Sequence, residues 1–529
     1  MFDRNLIVAV VLSFVSVFTI NYLFKDSSQP KPQTIQLGAN SVAALPVHPN
    51  AYKMMTPQEL AKPASHDVTF ATEQNGAEML TTIEMPQYQA TFTTSGGTLQ
   101  TLRYPEHTNT QNEPLQAIHP VGAQEREHAP FMVALEKDTP YTFKFDGQEK
   151  VENGVQVRYV ARADEWNIEK TFLLHNDSYQ IDLTIGFVPR SSSAAAIKPR
   201  LFVPAPTLPS LARDKAAGIT VNDKNNGTKK IVGGSSLQQA WVLPTLFGVE
   251  NSYFAHVLLK DDRAFAQRGY FKQNSNDHMT AVLEGPQVTD TVSFPLSFYV
   301  GPKSLPALRA VDSRLEDLLS FGWLSWLAKL LLQLLQFLYK HVANYGLAII
   351  ILTLALKLLL LPFSLKSGSY MATQQKLQPR MAALRKKFGH DQQRLHMEMM
   401  ALYKEHNVSP MAPMMGCLLA LPQFPIFFAL YRVLSGSIEL YQAPFVGWLT
   451  DLSAKDPYYI LPLMVGVLAF MQPFAQSKQT DSRAQLIAYL MPIIMIAMFV
   501  GLPAGLLLFI LFNFLTTLAE QRLRKFISA

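Results

Sequence analysis

The sequence predicts a polytopic α-helical membrane protein with six spans, a five-helix core and a large all-β sandwich domain outside the cytoplasm. Its 529 residues are 48% hydrophobic and only 16% charged, which is too apolar and too long for one ordinary soluble domain. Apolar runs long enough to cross a bilayer occur near the N-terminus and after residue 344. Between them, polar and apolar residues alternate with the period of β-strands.

The first predicted element is an N-terminal transmembrane anchor, residues 1–24. Its apolar run, residues 6–24, is preceded by Arg4 and is long for the hydrophobic region of a signal peptide, and no small-x-small cleavage pattern follows closely. A cleaved signal peptide is the alternative interpretation of the same run. Residues 25–60 are rich in Pro, Gln, Ser and Ala, which predicts a flexible linker.

Residues 61–303 predict one large β-sandwich domain. Three segments alternate clearly, namely YTFKFDG (141–147), GVQVRYVARA (154–163) and SYQIDLTIGFV (178–188). The apolar face of the last segment consists of Tyr179, Ile181, Leu183 and Ile185. Gly, Asn, Asp and Pro occupy the gaps between such segments, as turns require.

The chain has few residues with the chemistry of a catalytic or metal site. A single cysteine, Cys417, excludes an internal disulfide and a cysteine-cluster metal site. The histidines of the β-domain lack metal-ligand spacing and are predicted to be surface or satisfied core residues: His66, His107, His119, His128, His175, His256 and His278. Neither HExxH nor GxSxG occurs. We therefore predict no enzyme, no catalytic residue, no metal and no cofactor, although a sugar-processing role of the sandwich stays open because that architecture hosts many functions.

Residues 304–343 predict an interfacial region. Within WLSWLAKLLLQLLQFLYKHV (323–342), the polar residues Lys329, Gln333, Gln336 and Lys340 are spaced four, three and four apart. That spacing forms one stripe on an amphipathic helix, and tryptophans suit a membrane interface. The helix is therefore expected to lie on the bilayer surface.

The last region, residues 344–529, predicts a core of five transmembrane helices. These spans are expected at 345–365, 415–434, 458–474, 485–501 and 503–519. The loop 366–410 is rich in Lys and Arg, whereas the loop 435–457 carries only Lys455. Because basic loops remain in the cytoplasm, both termini are predicted to be cytoplasmic and the β-domain to lie outside.

The loop 366–410 predicts an antiparallel helical hairpin. Apolar residues recur at helical spacing on both sides of an FGHD turn, in which Asp391 can cap the second helix. Five of its basic residues are candidate contacts for ribosomal RNA or anionic lipid: Arg380, Arg385, Lys386, Lys387 and Arg394. Membrane topology alone is the alternative explanation of their charge.

Several motifs resemble the bacterial YidC membrane protein insertases of the long, Gram-negative type. They are QAPFVGWLTDLSAKDPYYILP (442–462), GCLLALPQFPIFFALY (416–431), MP (491–492) and PAGL (503–506) followed by Asn513. The resemblance covers the whole chain. It implies an inner-membrane protein with a periplasmic β-domain that inserts nascent membrane proteins and helps them fold. Insertion in this family proceeds through a hydrophilic groove open to the cytoplasm and the lipid, alone or beside the Sec translocon.

The resemblance also implies a basic groove residue, usually arginine, at the position of Lys357. Lysine retains the charge but lacks the planar fork of arginine. Polar residues on the span of Lys357 and on two other predicted spans complete the candidate groove: Thr353, Gln423, Asn513, Thr516 and Thr517. No Asp or Glu falls inside the predicted core spans, the nearest being Glu520, so Lys357 is expected to need water or a visiting anion.

Each groove residue also has a less specific interpretation. Lys357 lies five residues before Pro362, near one end of its span, so it could extend its ammonium to the interface. Buried amides such as Gln423 and Asn513 often only join helices.

The expected partners are nascent membrane proteins, the Sec translocon, the lipid bilayer and, transiently and weakly, the ribosome; DNA is not expected. The alternative function is a secondary transporter with a charged intramembrane site. It is less favoured because the core shows no internal repeat and no acidic coupling residue.

Overall fold

The computed structural model describes residues 51–60, 78–108, 113–118, 129–136, 139–163, 165–206, 217–221, 228–231, 240–273, 279–319, 324–405, 423–475 and 493–527. The predicted anchor, residues 1–24, and residues 25–50 of the predicted linker lie outside this set.

The β-domain is built from short and medium strands that follow the predicted alternation. The strands are β1 Tyr52–Lys53, β2 Leu80–Glu84, β3 Gln89–Thr93, β4 Thr98–Thr108, β5 Pro114–Ile118, β6 Met132–Ala134, β7 Lys144–Val151, β8 Gly154–Arg162, β9 Trp166–His175, β10 Gln180–Pro189, β11 Arg200–Pro204, β12 Ala217–Val221, β13 Thr228–Ile231, β14 Ala240–Val242, β15 Phe247–Glu250, β16 Phe254–Asp261, β17 Arg268–Gln273, β18 Met279–Glu284, β19 Gln287–Val288 and β20 Val292–Pro302.

The main sheet contains nine strands in the order β13-β12-β15-β16-β20-β10-β9-β8-β7. Smaller sheets have the orders β14-β17-β18-β11-β6, β2-β3-β4-β5 and β1-β19. Strand β10 pairs antiparallel with both β20 and β9, so it is central. Ile181, Leu183 and Ile185 are fully buried there, which confirms the face predicted from alternation.

Aromatic side chains join the sheets. Phe247 of β15 stacks on Phe271 of β17 with ring centroids 4.6 Å apart, which places the five-stranded sheet against the main sheet. Phe92 of β3 meets Phe172 of β9 at 4.8 Å, which places the four-stranded sheet against it as well. The result is a layered, β-rich domain with a large apolar core and a smaller separate cluster formed by Met132, Ala134, Phe202 and Val282.

Residues 51–60 differ from the prediction of a flexible linker. Tyr52 and Lys53 pair with β19, and the Ala51 carbonyl accepts from the backbone of Thr289 at 2.9 Å. Helix α1, Pro57–Leu60, has a capping box in which Thr56 and Glu59 bond each other's backbone N–H. The linker prediction is wrong for this segment, because these hydrogen bonds fasten it to the β-domain.

The remaining helices of the described ranges lie in the C-terminal half. They are α2 Leu305–Val311, α3 Ser325–Val342, α4 Tyr345–Phe388, α5 Gln392–Glu405, α6 Gln423–Gly436, α7 Ile460–Ala475 and α8 Ala504–Ile527, with 3₁₀ turns at Ser313–Leu318 and Ile438–Leu440. Residues 493–499 are also helical. Residues 415–422 and 485–492 of the predicted spans are outside the described ranges.

Two of the described helices are long and apolar enough to cross a membrane, at Tyr345–Pro362 and Ala504–Arg522. A shorter apolar helix covers Ile460–Met471. The second long span extends beyond the predicted end at residue 519, because α8 continues without interruption to Ile527.

Helix α3 is amphipathic as predicted, but its polar stripe is bound to protein groups rather than only to water. Lys329 Nζ lies 3.6 Å from a carboxylate oxygen of Glu316. Gln336 donates to Glu439 Oε1 at 2.8 Å, which connects α3 to the segment between α6 and α7. Trp326 and Phe337 are exposed, as expected for side chains that face lipid.

Glu439 makes the contact between α3 and the Ile438–Leu440 turn sensitive to pH. Burial raises the pKa of this carboxyl from 4.5 to about 7, since the charged form loses its water. A carboxyl with a raised folded-state pKa stabilises the fold below pH 4.5, and that contribution is lost as the pH rises through about 7.

We therefore expect the thermal stability of the purified protein in detergent to fall between about pH 4.5 and 7 because of this group. Glu439→Gln keeps a neutral side chain that can still accept from Gln336, so it should remove this part of the pH dependence. The measurement is the melting temperature of both proteins across that range. A slope that is the same in the variant and in the parent contradicts the assignment.

Candidate functional site

The candidate site is centred on Lys357, which lies thirteen residues beyond the N-cap of α4. Asn344 starts the helix by accepting from the Leu347 N–H at 3.0 Å. Lys357 is half-buried within an otherwise apolar helical span. Its Nζ donates to Thr517 Oγ1 of α8 at 3.0 Å, so the ammonium joins two helices through residues that are 160 positions apart in sequence.

The Thr517 hydroxyl is oriented to receive the lysine. It donates its own proton to the Asn513 carbonyl at 2.8 Å, which leaves an oxygen lone pair for the ammonium. Thr516 donates to the carbonyls of Phe512 and Asn513 at 2.8 and 2.9 Å. The structure therefore brings Lys357 and Thr517 together, with Asn513 directly behind them.

Glu520, just beyond the predicted end of the last span, contributes to the electrostatic environment of Lys357. Helix α8 continues past the predicted end of the last span, and Glu520 lies on it one turn after Thr517. Lys357 and Glu520 interact electrostatically. Glu520 Oε1 also accepts a hydrogen bond from Ser364 of α4. The signal in the sequence was the three-residue spacing from Thr517 to Glu520.

Thr353 and Gln423 are placed differently from the central pair. Thr353 is buried, and its hydroxyl donates to the Ile349 carbonyl of its own helix at 2.7 Å, so it satisfies itself within α4. Gln423 is half-buried at the start of the described part of α6. The ring centroids of Phe427 in the same helix and Phe509 in α8 are 6.5 Å apart, which places α6 beside α8.

Helix α8 contains buried polar side-chain atoms. Within the described part of the chain, Asn513 Oδ1 and Gln521 Oε1 are buried and have no hydrogen-bond partner. A buried acceptor in an apolar span costs free energy unless water or a ligand reaches it. With the half-buried ammonium of Lys357, these atoms make this part of α8 polar within an otherwise apolar helix.

The helical hairpin is formed by the end of α4 and by α5. Helix α4 passes through Pro362 and Pro379 without ending, so the first arm of the hairpin is a continuation of the spanning helix rather than a separate element that begins at residue 366. Leu377, Leu402 and Tyr403 form its small core. Asp391 Oδ1 accepts from the Arg394 N–H at 3.0 Å, which confirms the predicted cap.

The basic residues of the hairpin point outward. Arg380, Arg385, Lys386, Lys387 and Arg394 are all exposed. Arg380 lies 3.7 Å from Glu405, a loose surface pair. Lys387 and Arg394 each lie 5.3 Å from the ring centre of Phe388. This exposed surface is cationic and available to anionic partners.

Two histidines of the β-domain bind neighbouring polar groups. His175 Nε2 lies 2.7 Å from Asp182 Oδ2. His256 is buried, and its Nδ1 donates to the Pro204 carbonyl at 2.8 Å; burial lowers its pKa to about 4, so it is neutral. His175 fits the predicted role as a satisfied residue, whereas the buried Nε2 of His256 has no hydrogen-bond partner among the described residues.

Comparison with known proteins identifies the family. A family model described as "60Kd inner membrane protein" matches residues 337–527, and one described as "YidC periplasmic domain" matches residues 80–334. The chain is 31% identical to Membrane protein insertase YidC of Syntrophus aciditrophicus (strain SB) over 541 residues, which covers 98% of each protein. It is also 31% identical to the protein of the same name from Geotalea daltonii over 553 residues, again covering 98% of each.

The chain is also similar to a solved structure described as an active YidC insertase with the first transmembrane domain resolved. The match covers 86% of this chain and 94% of the other, with 18% sequence identity and a TM-score of 0.37. The two family models account for the β-domain and for the helical region respectively. The full-length identity to curated relatives joins both parts in a single protein of the same kind. The chain therefore belongs to the YidC membrane protein insertase family, whose members have an inner-membrane part and a periplasmic domain.

Proposed function

We propose that this chain inserts nascent inner-membrane proteins into the bilayer and helps them fold, by way of a hydrophilic groove lined by α4, α6 and α8. The observation that supports this most strongly is the half-buried Lys357 ammonium, which bonds a hydroxyl across two apolar helices. A charge in such a place has a cost of about 2.5–3.5 kcal/mol on insertion scales, so it is retained where it has a use.

In the proposed mechanism, the groove lowers the cost of moving a polar tail into the membrane. Hydrated polar atoms of α8 replace part of the water that the tail loses. Lys357 attracts acidic side chains of the tail and releases the Thr517 hydroxyl when it pairs with them. The apolar part of the substrate then leaves the groove sideways into lipid.

The proposed topology has six spans, five of them in the core, with both termini in the cytoplasm and the β-domain in the periplasm. It is supported by the apolar helices at Tyr345–Pro362 and Ala504–Arg522, by the shorter Ile460–Met471 and by the basic hairpin. In this arrangement α3 lies at the periplasmic surface of the membrane.

The proposed partners follow from the same surfaces. The exposed cationic hairpin suits anionic lipid or the RNA of a translating ribosome, in a weak and transient contact that depends on salt. The Sec translocon is a proposed partner for larger substrates. Membership of the insertase family supports insertion over the alternative function, a secondary transporter.

The topology gives a labelling prediction. In a Cys417→Ser background, cysteines introduced at the exposed positions Thr450 and Gln393 should react differently with an impermeant thiol reagent. Thr450→Cys should be labelled in intact spheroplasts, and Gln393→Cys only after the membrane is opened. Labelling of the Gln393 position in intact spheroplasts would reject the six-span arrangement.

The function itself is tested with the purified full chain in proteoliposomes. Insertion of a small membrane protein, transport of solutes and proteolysis are scored side by side. We expect insertion above the rate of empty liposomes and neither of the other activities. Solute flux or cleavage in the absence of insertion would overturn the proposal.

A further inference from the structure

Two polar pairs form a ladder along the contact between α4 and α8, which we call the α4–α8 seam and define by Lys357, Ser364, Thr517 and Glu520. Lys357 Nζ donates to Thr517 Oγ1 at 3.0 Å, and Ser364 donates to Glu520 Oε1. Moving along α4 from Lys357 to Ser364 corresponds to moving along α8 from Thr517 to Glu520. The two helices therefore run in the same direction, with both polar pairs on one line.

The carboxylate of the seam accepts from Ser364, whereas the ammonium donates to Thr517. Ser364, which binds the carboxylate, lies seven residues from Lys357, about 10 Å along the helix axis at 1.5 Å per residue. Glu520 nevertheless interacts electrostatically with Lys357. It is thus a resident negative charge that opposes the positive potential of the site.

We propose that Glu520 determines the charge selectivity of the groove, by competing with acidic side chains of an entering segment for the field of Lys357. Ser364 limits this competition, since its hydrogen bond holds the carboxylate at a distance from the ammonium. The inference rests on the proposed function, in which Lys357 attracts acidic tails. Glu520 acts through Lys357 and is therefore a specificity-determining residue rather than part of any chemical step.

The physical basis is the sum of fields in a medium of low dielectric constant. A negative charge near Lys357 lowers the attraction of a second negative charge to the same ammonium. Removing the resident charge increases this attraction for acidic tails and leaves neutral tails unaffected. Loss of the Ser364 hydroxyl removes one hydrogen bond that holds the carboxylate on its side of the seam, and the attraction for acidic tails is expected to fall.

The test compares insertion of two matched substrates, one with acidic residues in its translocated tail and one with these residues neutralised, in proteoliposomes that contain the full chain. The readout is the ratio of acidic to neutral insertion. Glu520→Gln should raise the ratio about fivefold, the scale of one screened charge pair. Glu520→Asp keeps the charge and therefore should not raise the ratio. Ser364→Ala should lower it, which gives a second arm that does not depend on the folding of Glu520→Gln.

The same measurements in a Lys357→Ala background separate the inference from the function on which it rests. There, Glu520→Gln should no longer change the ratio. If Lys357→Ala itself leaves the ratio unchanged, the charge role of Lys357 and this inference both fail. If Lys357→Ala lowers the ratio while Glu520→Gln leaves it unchanged or lowers it, only the role of Glu520 is overturned.

Discussion

Lys357→Ala is expected to reduce insertion of substrates with acidic translocated tails roughly 5- to 30-fold, which corresponds to about 1–2 kcal/mol. A unit charge pair about 4 Å apart at an effective dielectric constant of about 20 gains about 4 kcal/mol, and desolvation offsets most of that gain. Lys357→Arg retains the charge and should function. Lys357→Glu should be the most defective, because the introduced carboxylate repels the acidic side chains of the entering tail.

The control for this series is a substrate whose acidic tail residues are neutralised, assayed for initial insertion rate in the same proteoliposomes. Insertion of this neutral substrate should change much less when Lys357 is replaced than insertion of the acidic substrate does. A lysine that only extends to the interface, or only joins α4 to α8 through Thr517, affects both substrates alike. Equal defects for charged and neutral tails in a folded variant therefore reject charge pairing.

Lys170→Met is expected to destabilise the β-domain by several kcal/mol, the largest stability effect that we anticipate. Lys170 of β9 is fully buried and donates to the carbonyls of Gly96, Gly97 and Phe131 at 2.7, 3.2 and 2.8 Å. Three acceptors match the three N–H donors of an ammonium. Methionine fills the space, but each carbonyl left without a donor costs about 1–3 kcal/mol.

The cost of this substitution is increased by the backbone around the lysine. Gly96, Gly97 and Phe131 have φ values of +71°, +53° and +64°, a left-handed conformation that is costly for phenylalanine. The lysine compensates for that cost, although burial lowers the pKa of its amine well below the ordinary value. Calorimetry of the full chain in detergent should show a lower melting temperature of the β-domain.

A matched control is Lys260→Met, since Lys260 is exposed and forms a surface pair with Asp262. Its effect should be within about 1 kcal/mol. A Lys170→Met variant as stable as this control would show that the three carbonyl contacts contribute little.

Periodicity in the sequence was sufficient to predict the local structure. Alternation placed Ile181, Leu183 and Ile185 on the buried face of β10, because side chains of a strand point to opposite sides. The same alternation puts Lys170 on the inner face of β9, between Ile168 and Phe172. Its burial was therefore readable from the sequence, whereas its three carbonyl partners, 39 to 74 residues away, were not.

The misplaced boundaries have local causes. The composition of residues 25–60 indicated a linker, yet Thr56 and Glu59 with Pro57 between them have the pattern of a capped helix start. Hydrophobicity alone predicts that the last span ends at residue 519, whereas helix α8 continues to Ile527. A polar residue does not end a helix, and Glu520 continues the turn that holds Thr517.

The candidate site was only partly predictable. Lys357 and Thr517 were identified as separate polar residues on apolar helices, and the structure places them within hydrogen-bond distance of each other. Their contact depends on how α4 packs against α8, which no local pattern specifies. Thr353 was assigned to the groove as a polar residue of the helix that carries Lys357, and its buried hydroxyl donates to the Ile349 carbonyl of the same helix.

The most direct test of the central claim is whether a substrate in transit contacts the α4–α8 seam. In a Cys417→Ser background, a cysteine at Thr516 is paired with a cysteine in the acidic tail of a substrate stalled during insertion, and disulfide formation is measured. A cysteine at Val467, on the exposed face of α7, is the matched control. We predict a strong crosslink from Thr516→Cys that weakens in a Lys357→Ala background, and little from Val467→Cys. Equal crosslinking from both positions, independent of Lys357, would contradict a charged groove at this seam.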